Sequence, residues 1–147
     1  MDYTASRGHL DVVKWLHANR SESCATAAMN EAAQSNNVAV MEWLDQNRME
    51  GFTSGAMALV LINGQLEAFQ WLLSRGAKLC VATEMKAAAA FGNFCILWVL
   101  YQKNCGSIET LKNALIRSCR RLEFAEWAYV YHRHEFEQNI AEQLFAD

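Results

Sequence analysis

The sequence predicts an all-α repeat solenoid of about five antiparallel helix pairs with little or no β-hairpin, and three observations predict it. Columns recur every 28 residues: Trp15, Trp43 and Trp71 share one, Val99 stands next in it, and Trp127 returns one period later. Met1, Met29, Met57 and Met85 form a second column, and Leu16, Leu44, Leu72 and Leu100 a third. The 147 residues contain no proline, so no helix is broken by one and no polyproline linker separates them. Self-similarity at a fixed period marks supersecondary units that bury their apolar faces only by stacking on neighbours.

Each row reads as two short helices. In the first, Met29, Ala32 and Ala33 are spaced for one helical face and Asn36 follows at the turn. Alanines there let a neighbouring helix approach closely. Gly8, Asn36, Gly64 and Gly92 align at that turn, where a positive φ suits glycine or asparagine and costs other residues energy. The second helix opens on Leu10, Val38, Leu66, Phe94 or Leu122. It places Val12, Val13, Trp15 and Leu16 on one broad face and turns Asp11, Lys14 and Ala18 outward. Asn19, Asn47, Gly76 and Asn104 then stand where helices end in a left-handed cap. The repeats run about 1–28, 29–56, 57–84, 85–110 and 111–134. The Trp column is the expected mortar between layers, because a buried indole covers roughly 150–250 Å². At roughly 25 cal/mol per Å² that is about 4–6 kcal/mol of gross hydrophobic gain.

Two rows depart from the pattern. In the fourth, Trp98 lands in the outward column of Lys14, Glu42 and Gln70. Either that helix rolls and buries Trp98, or Trp98 is an exposed aromatic anchor for a partner. In the fifth, strict register puts Arg117 in a small-residue column. Sliding the helix two places sets Leu111, Ala114, Leu115 and Ser118 at helical spacing and lengthens the turn through Cys119–Arg121. Between Glu135 and Phe145, the residues Phe136, Ile140, Leu144 and Phe145 share one side, which predicts a closing helix within 135–147. Met1 falls in an interior column. The expectation is therefore one repeat domain over 1–147 that belongs to a longer array or has a covered end, with self-association through uncapped ends.

Composition narrows the chemistry. A net charge of −3 argues against a phosphate-binding surface, so nucleic acid is not an expected partner. No apolar run is long enough to span a bilayer, and the first residues lack the basic and apolar regions of a secretory signal. Five cysteines without a CxxC pair point to reduced thiols, hence an intracellular, cytoplasmic or nuclear setting. Cys24, Phe52 and Cys80 share a column that reads as a small buried apolar slot. His132 and His134, with Cys105 and Cys119 upstream, do not have zinc-site spacing. Arg117, Arg120, Arg121 and Arg133 are interspersed with Glu123, Glu126, Glu135 and Glu137, which describes a solvated face. Phosphate-binding glycine motifs are absent, so no catalytic residue, cofactor or metal is expected.

The segments "ASRGHLDVVKWLH" and "NGQLEAFQWLLSRGA" resemble the ankyrin repeat, whose helices carry Ala-Ala-x-x-Gly-His and then a Val-Val-x-x-Leu-Leu run. His9 is the one histidine in its column; Asn37, Gln65, Asn93 and Arg121 replace it. Ankyrin repeats usually have 33 residues and a hairpin opened by Thr-Pro-Leu-His, whereas here the hairpin would fall between Gly76 and Met85, where about five residues are missing. The resemblance covers about residues 1–130. It implies a concave groove lined by the first helices, with the second helices as outer wall. Groove columns then hold Tyr3, Glu31, Leu59 and Ala87; Ser6, Gln34, Ile62 and Ala90; and Arg7, Ser35, Asn63 and Phe91. Expected contact residues are Tyr3, Arg7, Glu31, Gln34, Leu59, Ile62 and Phe91. A competing reading has Leu59 and Ile62 extend the core, because "AMALVLI" is apolar all round. The expected function is a non-enzymatic interaction module that presents the groove to a protein or peptide. The alternatives are a structural spacer in a larger repeat protein and a Cys- or His-dependent enzyme.

Overall fold

Small residues and turn formers at a 28-residue period produce helices and nothing else in the computed structural model, which describes residues 2–19, 25–47, 51–78, 80–103, 107–118 and 121–131. Among those residues there are ten helices and no strand. The closing helix expected within 135–147 lies outside them, as do Met1, Cys24, Asn104, Cys105, Cys119, Arg120, His132, Arg133 and His134. So do the side chains of Arg117 and Arg121. The chain divides into two compact units, Met1–Lys78 and Leu79–Asp147.

The first unit holds α1 (Asp2–Ser6), α2 (Leu10–Asn19), α3 (Ala25–Gln34), α4 (Val38–Asn47), α5 (Ser54–Asn63) and α6 (Leu66–Ser74). The first helices pack in sequence, α1 on α3 and α3 on α5, and the second helices likewise, α2 on α4 and α4 on α6. Ala5, Ala28, Ala32 and Ala33 are fully buried between the first helices, where a larger side chain would push the backbones apart. Val13, Met41, Phe69 and Leu72 fill the space beneath the second helices.

Every turn between paired helices whose column was read as Gly or Asn has the expected backbone: Gly8, Asn36, Gly64 and Gly92 have φ of 72°, 58°, 70° and 73°. At Gly8 space is as decisive as conformation, since an added Cβ would lie 2.6 Å from Asn37 Oδ1. The expectation for the row ends needs correcting. Gly76 does adopt a positive φ of 80°, but Asn19 and Asn47 remain helical. Their side chains turn back instead, Nδ2 donating to the carbonyls of Trp15 and Trp43 at 2.8 Å in each case. An asparagine can satisfy a helix end with its amide, and then the backbone has no need to leave the helix.

The Trp column is not uniformly buried. Trp71 is 8% exposed: the Phe52 ring packs on it at 6.4 Å between centroids and the Arg75 guanidinium covers it at 5.3 Å. Arg75 is held there by Asp45, Nε to Oδ2 3.3 Å. Trp43 is half-buried and meets His17 edge-on at 5.2 Å. Trp15, expected to be buried, is 61% exposed, and Val12 beside it is exposed too. The helix period is the same in all three rows; what differs is what packs against the indole, Phe52 and Arg75 at Trp71 and His17 at Trp43.

The second unit holds α7 (Val81–Ala90), α8 (Phe94–Gln102), α9 (Ile108–Ser118) and α10 (Arg121–Tyr131). Here α7 packs on α8 and α9, and α9 on α10. Leu111, Ala114 and Leu115 are buried, as the two-residue slide of the fifth row requires. Trp98 is buried as well: its helix rolls it inward against Phe124 at 6.3 Å and Tyr101 at 5.7 Å. Phe94 completes this cluster, 5.7 Å from Phe124 and 6.1 Å from Trp127. Cys80, read as part of a buried slot, is exposed at the start of α7, and Phe52 of the same column is half-buried. That column lies in the connection ahead of a first helix, where an aromatic ring reaches a neighbouring indole and a short thiol does not.

Candidate interaction surface

The first-helix side of each unit is built on the small-residue core, so whatever stands beside the alanines is pushed outward. In the first unit, Tyr3 is 69% exposed and Arg7 is exposed, its guanidinium lying over the Tyr3 ring at 5.4 Å. Glu31 and Gln34 on α3 are half-buried. On α5, Leu59 is half-buried and Ile62 is 43% exposed. Helix α5 is therefore not buried all round: Ala56, Met57, Val60 and Leu61 enter the core while Ala58 and Ile62 face out. Because α1, α3 and α5 lie side by side, six of the seven expected contact residues share one side of this unit. Phe91, the seventh, belongs to the second unit and is 54% exposed just after α7.

A further residue belongs with them. Ile116 on α9 is exposed, and the two-residue slide places it in the column of Ser6, Gln34, Ile62 and Ala90. The sequence holds that signal once Leu111, Ala114 and Leu115 are aligned with Met29, Ala32 and Ala33. Phe91 thus follows α7 and Ile116 stands on α9, which packs against α7.

The column in which His9 stands turns out to hold the rows together. Asn37 Nδ2 donates to the carbonyls of Ala5 at 3.1 Å and Ser6 at 2.8 Å, near the end of α1. One row later, Gln65 Nε2 donates to the Gln34 carbonyl at the end of α3, 3.0 Å away. Asn36 adds a second tie: its Oδ1 accepts from the Ala68 amide at 3.0 Å while its Nδ2 donates to Glu67 Oε2 at 3.2 Å. Helix C-termini leave carbonyls that need donors, and side-chain amides of the following row supply them. These bonds fix the spacing of the first helices and hence the outward positions of Tyr3, Gln34 and Ile62.

Elsewhere the first unit has a pocket of about 210 Å³ lined by Phe52, Thr53, Ser54, Met57, Ala77 and Lys78. Sites for small organic ligands usually enclose about 300–1,000 Å³. Among the described residues, no group of three or more His, Cys, Asp or Glu is placed to hold a metal ion. Among them too, no helix is long and apolar enough to cross a membrane. Family models, curated proteins and solved structures all yield no match to this chain.

Proposed function

We propose that this protein is a non-enzymatic interaction module of ankyrin-like helix-pair repeats, whose first helices present a groove to a protein or peptide partner. The observation that carries this reading is the set of exposed apolar side chains on the first-helix side. Tyr3, Ile62, Phe91 and Ile116 stand in water next to fully buried small-residue columns. Exposing such side chains gains nothing in folding, whereas a few apolar anchors in a polar rim supply most of the energy of a binding interface. Arg7, Glu31 and Gln34 provide that rim. Layer-on-layer packing within the first unit, and the amide ties from Asn37 and Gln65, support the repeat architecture.

The experiment is affinity capture from native extract with three matched baits: wild type, Ile62→Asp, and Lys14→Glu on the outward side of α2. The reading expects a retained protein that Lys14→Glu keeps and that Ile62→Asp weakens by roughly tenfold or more, as loss of a central apolar anchor does. Equal retention by all three baits refutes the groove as the binding surface.

A further inference from the structure

The pocket of about 210 Å³ in the first unit contains none of the groove residues, and a single helix pair supplies its whole lining. Phe52 and Thr53 come from the connection into α5, Ser54 and Met57 from the first turn of α5, and Ala77 and Lys78 from the chain just past α6. Contacts inside the unit hold both walls. Thr53 Oγ1 is tied to Asn30 Oδ1 at 3.0 Å, and the Phe52 ring stands against Trp71. Opposite them, the Ala77 amide donates to the Leu72 carbonyl at 3.1 Å.

The lining has two chemical characters. Phe52, Ala77 and the buried Met57 make an apolar wall. Lys78 is exposed and is the one charged residue of the lining, and Ser54 adds a hydroxyl. No carboxylate among the described residues pairs with Lys78. An ammonium on a flexible stem beside an apolar wall suits an anion with an apolar tail: the head pairs with the cation while the tail leaves water. Volume limits that tail. Drug-sized ligands occupy sites of about 300–1,000 Å³, so this smaller space suits an aliphatic group of about one amino-acid side chain.

We propose that the pocket binds a carboxylate carried on a short aliphatic group, as the C-terminal residue of a peptide presents it or as a small free carboxylic acid does. The carboxylate pairs with Lys78 and the Ser54 hydroxyl, and the aliphatic group lies on Phe52 and Met57. Capture of a chain terminus by its carboxylate is a recurring mode of peptide recognition. This site and the groove use different residues, so either reading can fail alone.

Backbone-amide NMR titration of the full chain tests it with four probes: isocaproate, N-acetyl-leucine, the peptide acetyl-Gly-Gly-Gly-Leu, and the same peptide with an amidated C-terminus. The three carboxylates are expected to saturate with Kd of about 1 mM or tighter. Their shifts should concentrate at residues 52–57 and 77–78, and the Trp71 indole N–H should follow, because Phe52 lies against it. The amidated peptide should bind at least roughly tenfold more weakly, as loss of a charge-assisted contact does. Lys78→Glu at this exposed position should melt near wild type yet lose at least roughly tenfold in affinity for all three carboxylates. Lys78→Arg keeps the charge and should retain binding, and Ile62→Asp in the groove should bind as wild type does. Tighter binding of the free peptide than of isocaproate would identify a chain terminus as the ligand; equal affinity would identify the small acid. No saturation by any carboxylate up to about 10 mM overturns the proposal. So do equal binding of acid and amide, unchanged affinity in Lys78→Glu, and shifts centred elsewhere in the chain.

Discussion

A single side chain in this protein has the value its neighbours give it, and the three tryptophans of one column show this most directly. Trp71 sits under Phe52 and Arg75, Trp43 beside His17, and Trp15 in water. Trp71→Ala should therefore cost about 3–5 kcal/mol, as large core truncations do. Trp15→Ala should change stability by less than about 0.5 kcal/mol. Urea unfolding of the two variants gives both numbers, and equal losses would contradict the burial order. Arg75 is a lesser contributor. Its bridge to Asp45 is partly in solvent, where such pairs are worth about 0–1 kcal/mol, and its main effect is the cover it lends the indole.

Between residue and molecule lies the helix pair, and its integrity rests on a short turn and on one amide from the next row. Asn37 supplies two hydrogen bonds to the end of α1. Asn37→Ala takes the side-chain donor from the Ser6 carbonyl and leaves the Ala5 carbonyl the Gly8 amide, and a loss of about 1–3 kcal/mol is expected. Gly8→Ala attacks the same joint from the other side. It forces a side chain into a left-handed conformation and drives its Cβ against Asn37, so the cost should exceed the roughly 1 kcal/mol of the backbone effect alone. The pair Gly8→Ala and Asn37→Ala should be less than additive by urea denaturation, since the second substitution removes the atom that the first one strikes. Full additivity would show that the two act independently. A further tie of this kind joins α3 to the residue ahead of α5, where Thr53 Oγ1 donates to Asn30 Oδ1 at 3.0 Å. Thr53 thus uses its hydroxyl on α3 rather than on capping α5.

At the scale of the molecule, the two compact units set the expectation. Residues 1–78 contain three complete helix pairs, with Phe69 and Leu72 fully buried and Phe52 in place over Trp71. About three repeats suffice for a stack to bury a continuous core. The 1–78 fragment, expressed alone, should therefore unfold cooperatively in urea and keep the blue-shifted fluorescence of Trp71. A gradual transition with water-like emission would mean that the first unit draws its stability from the rest of the chain.

Helix pairs, their order and their turns were legible in the 28-residue period, because a backbone that must turn left-handed and a face that must be buried each restrict residue type at a fixed position. The slide in the fifth row was legible for the same reason: Leu111, Ala114 and Leu115 have one sensible helical alignment. Which members of a column are covered was not legible. Trp15 and Trp71 are the same residue in the same local pattern, yet one is wet and the other dry, and Trp98 reaches the core from an outward column. Burial is a property of what lies over a side chain, and the covering groups come from other rows. Likewise Asn19 and Asn47 could end a helix by backbone or by side chain, and only the packed chain chose the latter. The local pattern of residues determined the helices and their turns by itself; the tertiary structure decided the exposed apolar faces, because exposure depends on neighbours that no single stretch of chain contains.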